Sequence, residues 1–126
     1  MEQEQSLVTL EKFLNQPEGI SKEKYLALME QLGKEPDPDK MPLDYSDLCS
    51  DCQIAINVYN RLGNRVYGDV GFVGKDYTNL PILIEVFEIT NKDYLINLLN
   101  VLDSFNIGQS QKAMKKMMDD IKNKKK

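Results

Sequence analysis

Three prolines within seven residues, Pro36, Pro38 and Pro42, constrain this chain more than any other local feature. Each fixes φ and removes a backbone donor, so together they forbid a regular helix or a central strand across residues 35–42. With Glu35, Asp37 and Asp39 among them, these residues read as a stiff, acidic connector. Ahead of it, Leu7, Leu10 and Leu14 fall at i, i+3 and i+7 with Phe13 beside them, a helical stripe ended by Pro17 and Gly19. Ser21 then offers an N-cap oxygen to a second helix carrying Tyr25, Leu28, Met29 and Leu32. Gly33 can take the left-handed conformation that closes it.

Beyond the connector, Cys52, Ala55, Ile56, Tyr59 and Leu62 repeat with helical spacing from about Ser50, and Gly63 stands directly after as a stop. Residues 64–75 place Gly68, Gly71 and Gly74 among Val66, Tyr67, Val70, Phe72 and Val73, which fits neither a helix nor a long strand. The region near 64–78 therefore reads as an ordered Gly-rich loop with packed apolar side chains, or as a small hairpin. Thr78 or Asn79 can cap a helix with Pro81 in its first turn. The run Ile82, Leu83, Ile84, Val86, Phe87 also suits a buried strand, but Glu85 and Glu88 break strict alternation and favour the helix over residues 80–89. Thr90 with Asp93 makes a capping-box-like start for Tyr94, Leu95, Leu98, Leu99, Leu102 and Phe105, which Gly108 ends. A final helix carries Met114, Met117, Met118 and Ile121.

The pattern predicts an all-α fold, a small orthogonal bundle of about five to six short helices without repeats. The 126 residues suit one domain over 1–122, with a disordered basic tail at 123–126.

The chain has no histidine and no tryptophan. Ser-His-Asp and Cys-His dyads, His-ligated metals and the commonest general base near neutral pH are thereby excluded. No stretch of about 18 consecutive apolar residues occurs, and the Met1, Glu2, Gln3, Glu4, Gln5 opening lacks the basic and then apolar order of an export signal. The expected location is the cytoplasm, away from membranes. Charge is unevenly spread: residues 1–52 carry net −7, residues 53–108 net −2 and residues 109–126 net +5.

Several motifs invite a chemical reading. Cys49 and Cys52 have the spacing of half a zinc knuckle or of a redox pair, but the chain holds no second pair, and the periodicity denies the βαβ setting of a thioredoxin. On the inner stripe of its helix, Cys52 is more simply a small hydrophobe. Gly68, Gly71 and Gly74 before Lys75 suggest a phosphate loop, but Asp69 and Asp76 stand where glycine and a hydroxyl residue are needed. Asp37 and Asp39 begin a calcium-loop spacing that fails at Pro42 and Leu48. Glu85 and Glu88 read as a solvated helix face. No residue is assigned a catalytic, cofactor-binding or metal-ligating role, and no cofactor is expected.

Two surfaces remain. The Arg65–Leu80 segment spends Tyr67, Phe72 and Tyr77 on what would otherwise be a spacer, and reads as a partner-binding loop with Arg65, Tyr67, Phe72, Lys75, Asp76 and Tyr77 as candidate contacts. At the C-terminus, Lys112, Lys115, Lys116, Lys122, Lys124, Lys125 and Lys126 can touch nucleic-acid phosphates, though without arginine or aromatic neighbours to add specificity. The methionines beside them suit core packing or another protein.

YLALMEQLG at Tyr25 to Gly33, the Pro36 to Pro42 connector, NRLGNRVYGDVGFVGKDYTNLP and the lysine-rich tail together resemble a type of small, uncharacterised protein encoded by tailed bacteriophages. The resemblance covers most of residues 21–122 and implies a phage product in the host cytoplasm, acting in virion assembly or genome packaging. Taken with the excluded chemistries, the expectation is a non-enzymatic adaptor or chaperone that binds a phage or host protein, with self-association left open. A nucleic-acid-associated packaging or regulatory factor using the C-terminal lysines is one alternative. Another is an inhibitor of a host nucleic-acid enzyme that uses the acidic N-terminal half to imitate a phosphate backbone.

Overall fold

A computed structural model describes residues 3–16 and 20–124. The chain divides into two compact units, residues 1–53 and 54–126. Helices make up 66% of the structure, together with one two-stranded antiparallel sheet, so the fold is helix-rich rather than purely all-α.

In the first unit, α1 spans Gln3–Asn15 and α2 spans Lys22–Leu32. The Pro17 and Gly19 expected to end α1 lie outside the described residues. The Ser21 hydroxyl accepts from the Lys24 amide at 3.2 Å. Gly33 closes α2 at φ 66°, donating its N–H back to Glu30 while Lys34 donates to Met29. The connector is pinned at both ends. The Tyr25 hydroxyl accepts from the Asp37 amide at 3.1 Å, and the Gln16 amide group exchanges two hydrogen bonds with the Leu43 backbone at 2.8 and 2.9 Å. A single 3₁₀ turn, Tyr45–Asp47, follows, where Asp47 pairs with Lys22 at 2.9 Å. The Asp44 amide and then the Lys22 ammonium hold the Asp47 carboxyl below its usual value. Ser6, Leu10, Leu48 and Cys52 form the buried centre of this unit. α2 has no buried residue: Leu28 and Leu32 of its expected inner stripe are exposed.

α3, Ser50–Arg61, supplies Ala55, Val58, Tyr59 and, just past its end, Leu62 to the core of the second unit. Gly63 does stop the helix, and it also opens a strand. β1, Gly63–Tyr67, pairs antiparallel with β2, Gly71–Asp76, so the small hairpin, not the irregular loop, is what forms. α4 spans Leu80–Val86, which resolves residues 80–86 as helix with Pro81 in the first turn.

The last helix, α5, runs unbroken over Lys92–Lys124, 33 residues and about 50 Å long. This corrects two expectations. Asn91, not Thr90, caps it, its side-chain oxygen accepting from the Tyr94 amide at 3.1 Å. Gly108 does not end it, because a glycine whose Cβ site faces open space merely lowers helix propensity by about 1 kcal/mol, which the flanking turns outweigh. The two expected C-terminal helices are therefore one. Tyr94, Leu95, Leu98, Leu99 and Leu102 are buried along its first half, whereas residues 111–124 are exposed apart from half-buried Met114. Of the tail expected to fray, Asn123 and Lys124 continue the helix and residues 125 and 126 lie outside the described set.

Candidate partner-binding hairpin

The hairpin turn is built from Gly68, Asp69 and Val70, with the Val70 amide donating to the Tyr67 carbonyl at 3.1 Å. Gly71, paired with Tyr67 at the start of β2, follows at φ 87°, in the left-handed region that favours glycine. Glycine is needed there twice over: a Cβ would also lie 2.8 Å from the Ser110 hydroxyl and 3.2 Å from Met114 Cγ on α5.

α5 closes one side of this sheet. The Phe72 amide donates to Ser110 Oγ at 3.0 Å and the Lys75 amide to Asp103 Oδ1 at 3.1 Å. Seven residues apart on one helix face, Ser110 and Asp103 accept two β2 amides, much as a neighbouring strand would. Asp103 is also the acceptor for two phenols, Tyr59 at 3.0 Å and Tyr77 through a short bond. Asn106 donates to the Tyr59 oxygen at 3.3 Å and to the Leu102 carbonyl at 2.8 Å. The Lys75 ammonium lies 4.7 Å above the Tyr59 ring and donates to the Leu62 carbonyl at 3.2 Å.

Burial, reinforced by the hydrogen bonds to Asp103, pushes both the Tyr59 and Tyr77 hydroxyls well above their ordinary value. Both phenols therefore remain proton donors throughout the neutral range. The cluster ties the hairpin to α5 and to the end of α3.

β1 presents the opposite condition. All five of its residues are exposed, no further strand among those described pairs with its outer edge, and its register is interrupted between Asn64 and Val66. Val66 is 63% exposed, Tyr67 55% and Val70 in the turn 51%, so apolar side chains are exposed on both faces near the hairpin tip. The Arg65 guanidinium donates to the Tyr67 hydroxyl at 3.3 Å, so these two side chains lie together.

The six residues singled out from the sequence thus separate. Arg65, Tyr67 and Asp76 are exposed, with Asp76 accepting from the Thr78 amide and hydroxyl in the turn that follows β2. Phe72, Lys75 and Tyr77 are partly buried, with the Phe72 and Lys75 amides and the Tyr77 hydroxyl bonded to α5. Sequence reasoning missed Asp103, Asn106 and Ser110. Their signal was a polar stripe at i, i+3 and i+7 continuing the apolar face of α5.

The basic residues Lys112, Lys115, Lys116, Lys122 and Lys124 are exposed, and none makes an ion pair among the described residues. Lys125 and Lys126 lie outside them. No group of three or more His, Cys, Asp or Glu among the described residues could hold a metal ion. No described helix is long and apolar enough to cross a membrane. No protein-family model matches the chain, and neither a curated protein nor a solved structure matches it.

Proposed function

We propose that this protein is a non-enzymatic protein-binding adaptor whose docking element is the hairpin, engaged by an extended segment of a partner that adds to the β1 edge. The observation carrying this reading is the asymmetry of the hairpin: β2 is secured to α5 through Asp103 and Ser110, while β1 keeps an open edge flanked by exposed Val66 and Tyr67. A rigidly backed strand with an unpaired outer edge offers main-chain hydrogen bonds for affinity and side-chain contacts for selectivity. The phage resemblance supplies the setting, virion assembly or genome packaging in the host cytoplasm, with a phage or host protein as the partner.

The test is affinity capture from infected host cells, with and without nuclease, comparing the native chain with a Val66→Asp/Tyr67→Asp variant. The expected result is nuclease-resistant recovery of a particular protein, reduced at least about tenfold in the variant, and slowed amide exchange at residues 63–67 when that purified protein is added. Equal capture by both chains overturns the reading.

A second reading rests on the exposed lysines of α5, which make no ion pair among the described residues. At helical spacing, Lys112, Lys115 and Lys116 lie on the side away from Met114, Met117 and Ile121, with Asp119 among them, a face of net positive charge that can meet nucleic-acid phosphates. It is favoured if capture disappears with nuclease and if deleting residues 122–126 abolishes retention on DNA at low salt.

A further inference from the structure

The two cysteines are set at the start of α3 in a way the adaptor reading does not use. The Cys49 carbonyl accepts the Gln53 amide at 3.1 Å, which makes Cys49 the N-cap residue of α3, and Cys52 follows one turn in. Their sulfurs are 3.2 Å apart, with Cys49 donating toward Cys52. Accessibility divides sharply between them, Cys49 being half-buried and Cys52 0% exposed. Both also reach Ser6 of α1, the Cys49 sulfur contacting Ser6 Oγ at 3.4 Å and the Cys52 sulfur contacting the Ser6 carbonyl at 3.6 Å. Ser6 is itself buried.

We propose that Cys49 and Cys52 form a reversible dithiol–disulfide site, with Cys49 as the attacking thiol, Cys52 as the resolving thiol, and the disulfide of a low-molecular-weight thiol as oxidant. The physical case has three parts. A sulfur at a helix N-cap lies against the partial positive charge of the first-turn amides, which favours its thiolate. A small disulfide can reach half-buried Cys49 but not Cys52. Once Cys49 is modified, Cys52 is already within contact distance of the sulfur it must attack, so the second step needs little rearrangement. Burial, and then the hydrogen bond with Cys49, pushes the Cys52 thiol up to about 12, which suits it to the resolving rather than the attacking role.

The exchange balances as two displacements. The Cys49 thiolate attacks one sulfur of the oxidant, forming a mixed disulfide and releasing one small thiolate. Cys52 then loses its proton to solvent and attacks the Cys49 sulfur, releasing the second small thiolate, and the two protons given up by Cys49 and Cys52 leave both small thiolates as thiols. The protein loses two hydrogens as its thiols are oxidised, and the oxidant leaves as two thiols.

Oxidation also removes the Cys52 S–H that donates to the Ser6 carbonyl and alters the Cys49 sulfur that contacts Ser6 Oγ. Because Ser6 is buried in α1, the redox state of the pair is transmitted to the packing of α1 within the first unit. This consequence distinguishes a switch from two thiols that merely fill space.

The test uses the reduced full-length chain and graded oxidised glutathione, acid-quenched and read by intact mass and peptide mapping. The native protein is expected to lose two hydrogen masses without retaining glutathione, and to regain them with dithiothreitol. A Cys52→Ala variant is expected to hold one glutathione at Cys49, and a Cys49→Ala variant none. In the native protein, brief alkylation is expected to label Cys49 at least about tenfold faster than Cys52, a comparison that requires no variant to fold. Amide exchange over α1 is expected to quicken in the oxidised form. A native chain that stays reduced, or that accumulates the Cys49 adduct without resolving it, overturns the site. Equal alkylation of the two thiols overturns the assigned roles, and unchanged α1 exchange overturns the switch.

Discussion

β1 and β2 are similar in length and composition, each mixing glycine, an aromatic, valine and a charged residue, yet one is held and the other is open. Their own sequences do not explain the difference. It comes from α5, about thirty residues away along the chain, whose Asp103 and Ser110 take two β2 amides and whose Met114 meets the glycine at the turn. Edge strands are ordinarily blunted by shortness, charge or bulges. β1 has some of each, in its five residues, its Arg65 and its interrupted register, yet retains Val66 and Tyr67 in solvent. Closure of one edge by a helix and exposure of the other are what make the hairpin a presenting element.

The largest disruption of this asymmetry is expected from Asp103→Ala, which removes the acceptor shared by Tyr59, Tyr77 and the Lys75 amide. Loss of charge-assisted bonds at a partly buried site should lower unfolding free energy by about 2–3 kcal/mol in urea titration, and amide exchange in β2 should rise to the level of β1. Gly71→Ala comes next. A left-handed φ and a Cβ 2.8 Å from Ser110 Oγ should cost about 1–2 kcal/mol, less than a backbone clash would, since the obstructing groups are side chains that can shift.

Alkaline pH should loosen the same contact without mutation. Tyr59 and Tyr77 titrate above their unfolded value of 10.0 when folded, so their contribution is complete below that pH and is lost as pH rises through the elevated folded values. Cys52, shifted from 9.0 to about 12, contributes in an overlapping window from the first unit. A Tyr59→Phe/Tyr77→Phe chain should therefore show a smaller fall in melting temperature above pH 10 than the native chain, with the Cys52 part remaining; identical alkaline profiles would refute the role given to the phenols. The smallest effect on stability is expected on the open strand. Val66→Asp with Tyr67→Asp should change unfolding free energy by no more than about 0.5 kcal/mol, despite reducing partner capture at least about tenfold.

Helices were legible where one face repeats and a cap marks the boundary. Ser21 and Gly33 bracket α2 as the residue types require, and the stripe from Cys52 to Leu62 is the inner face of α3. The hairpin was only half legible, because Gly71 and Gly74 are present for a left-handed backbone and close approach to α5, needs that break the strand alternation by which strands are recognised. Among the candidate contacts, Tyr77 looked like a surface aromatic, and its bond to Asp103 across 26 residues could not be read locally.

The sequence by itself determined the connector, the caps of α2, the helical character and the absence of histidine chemistry, since each follows from a residue's own backbone preference or functional group. Only the tertiary structure decided that Gly108 lies inside one long helix, that β2 rather than β1 is held, and that Ser6 sits over both thiols. Those outcomes depend on which distant side chains fill a shared volume and satisfy buried amides, and no local propensity encodes that.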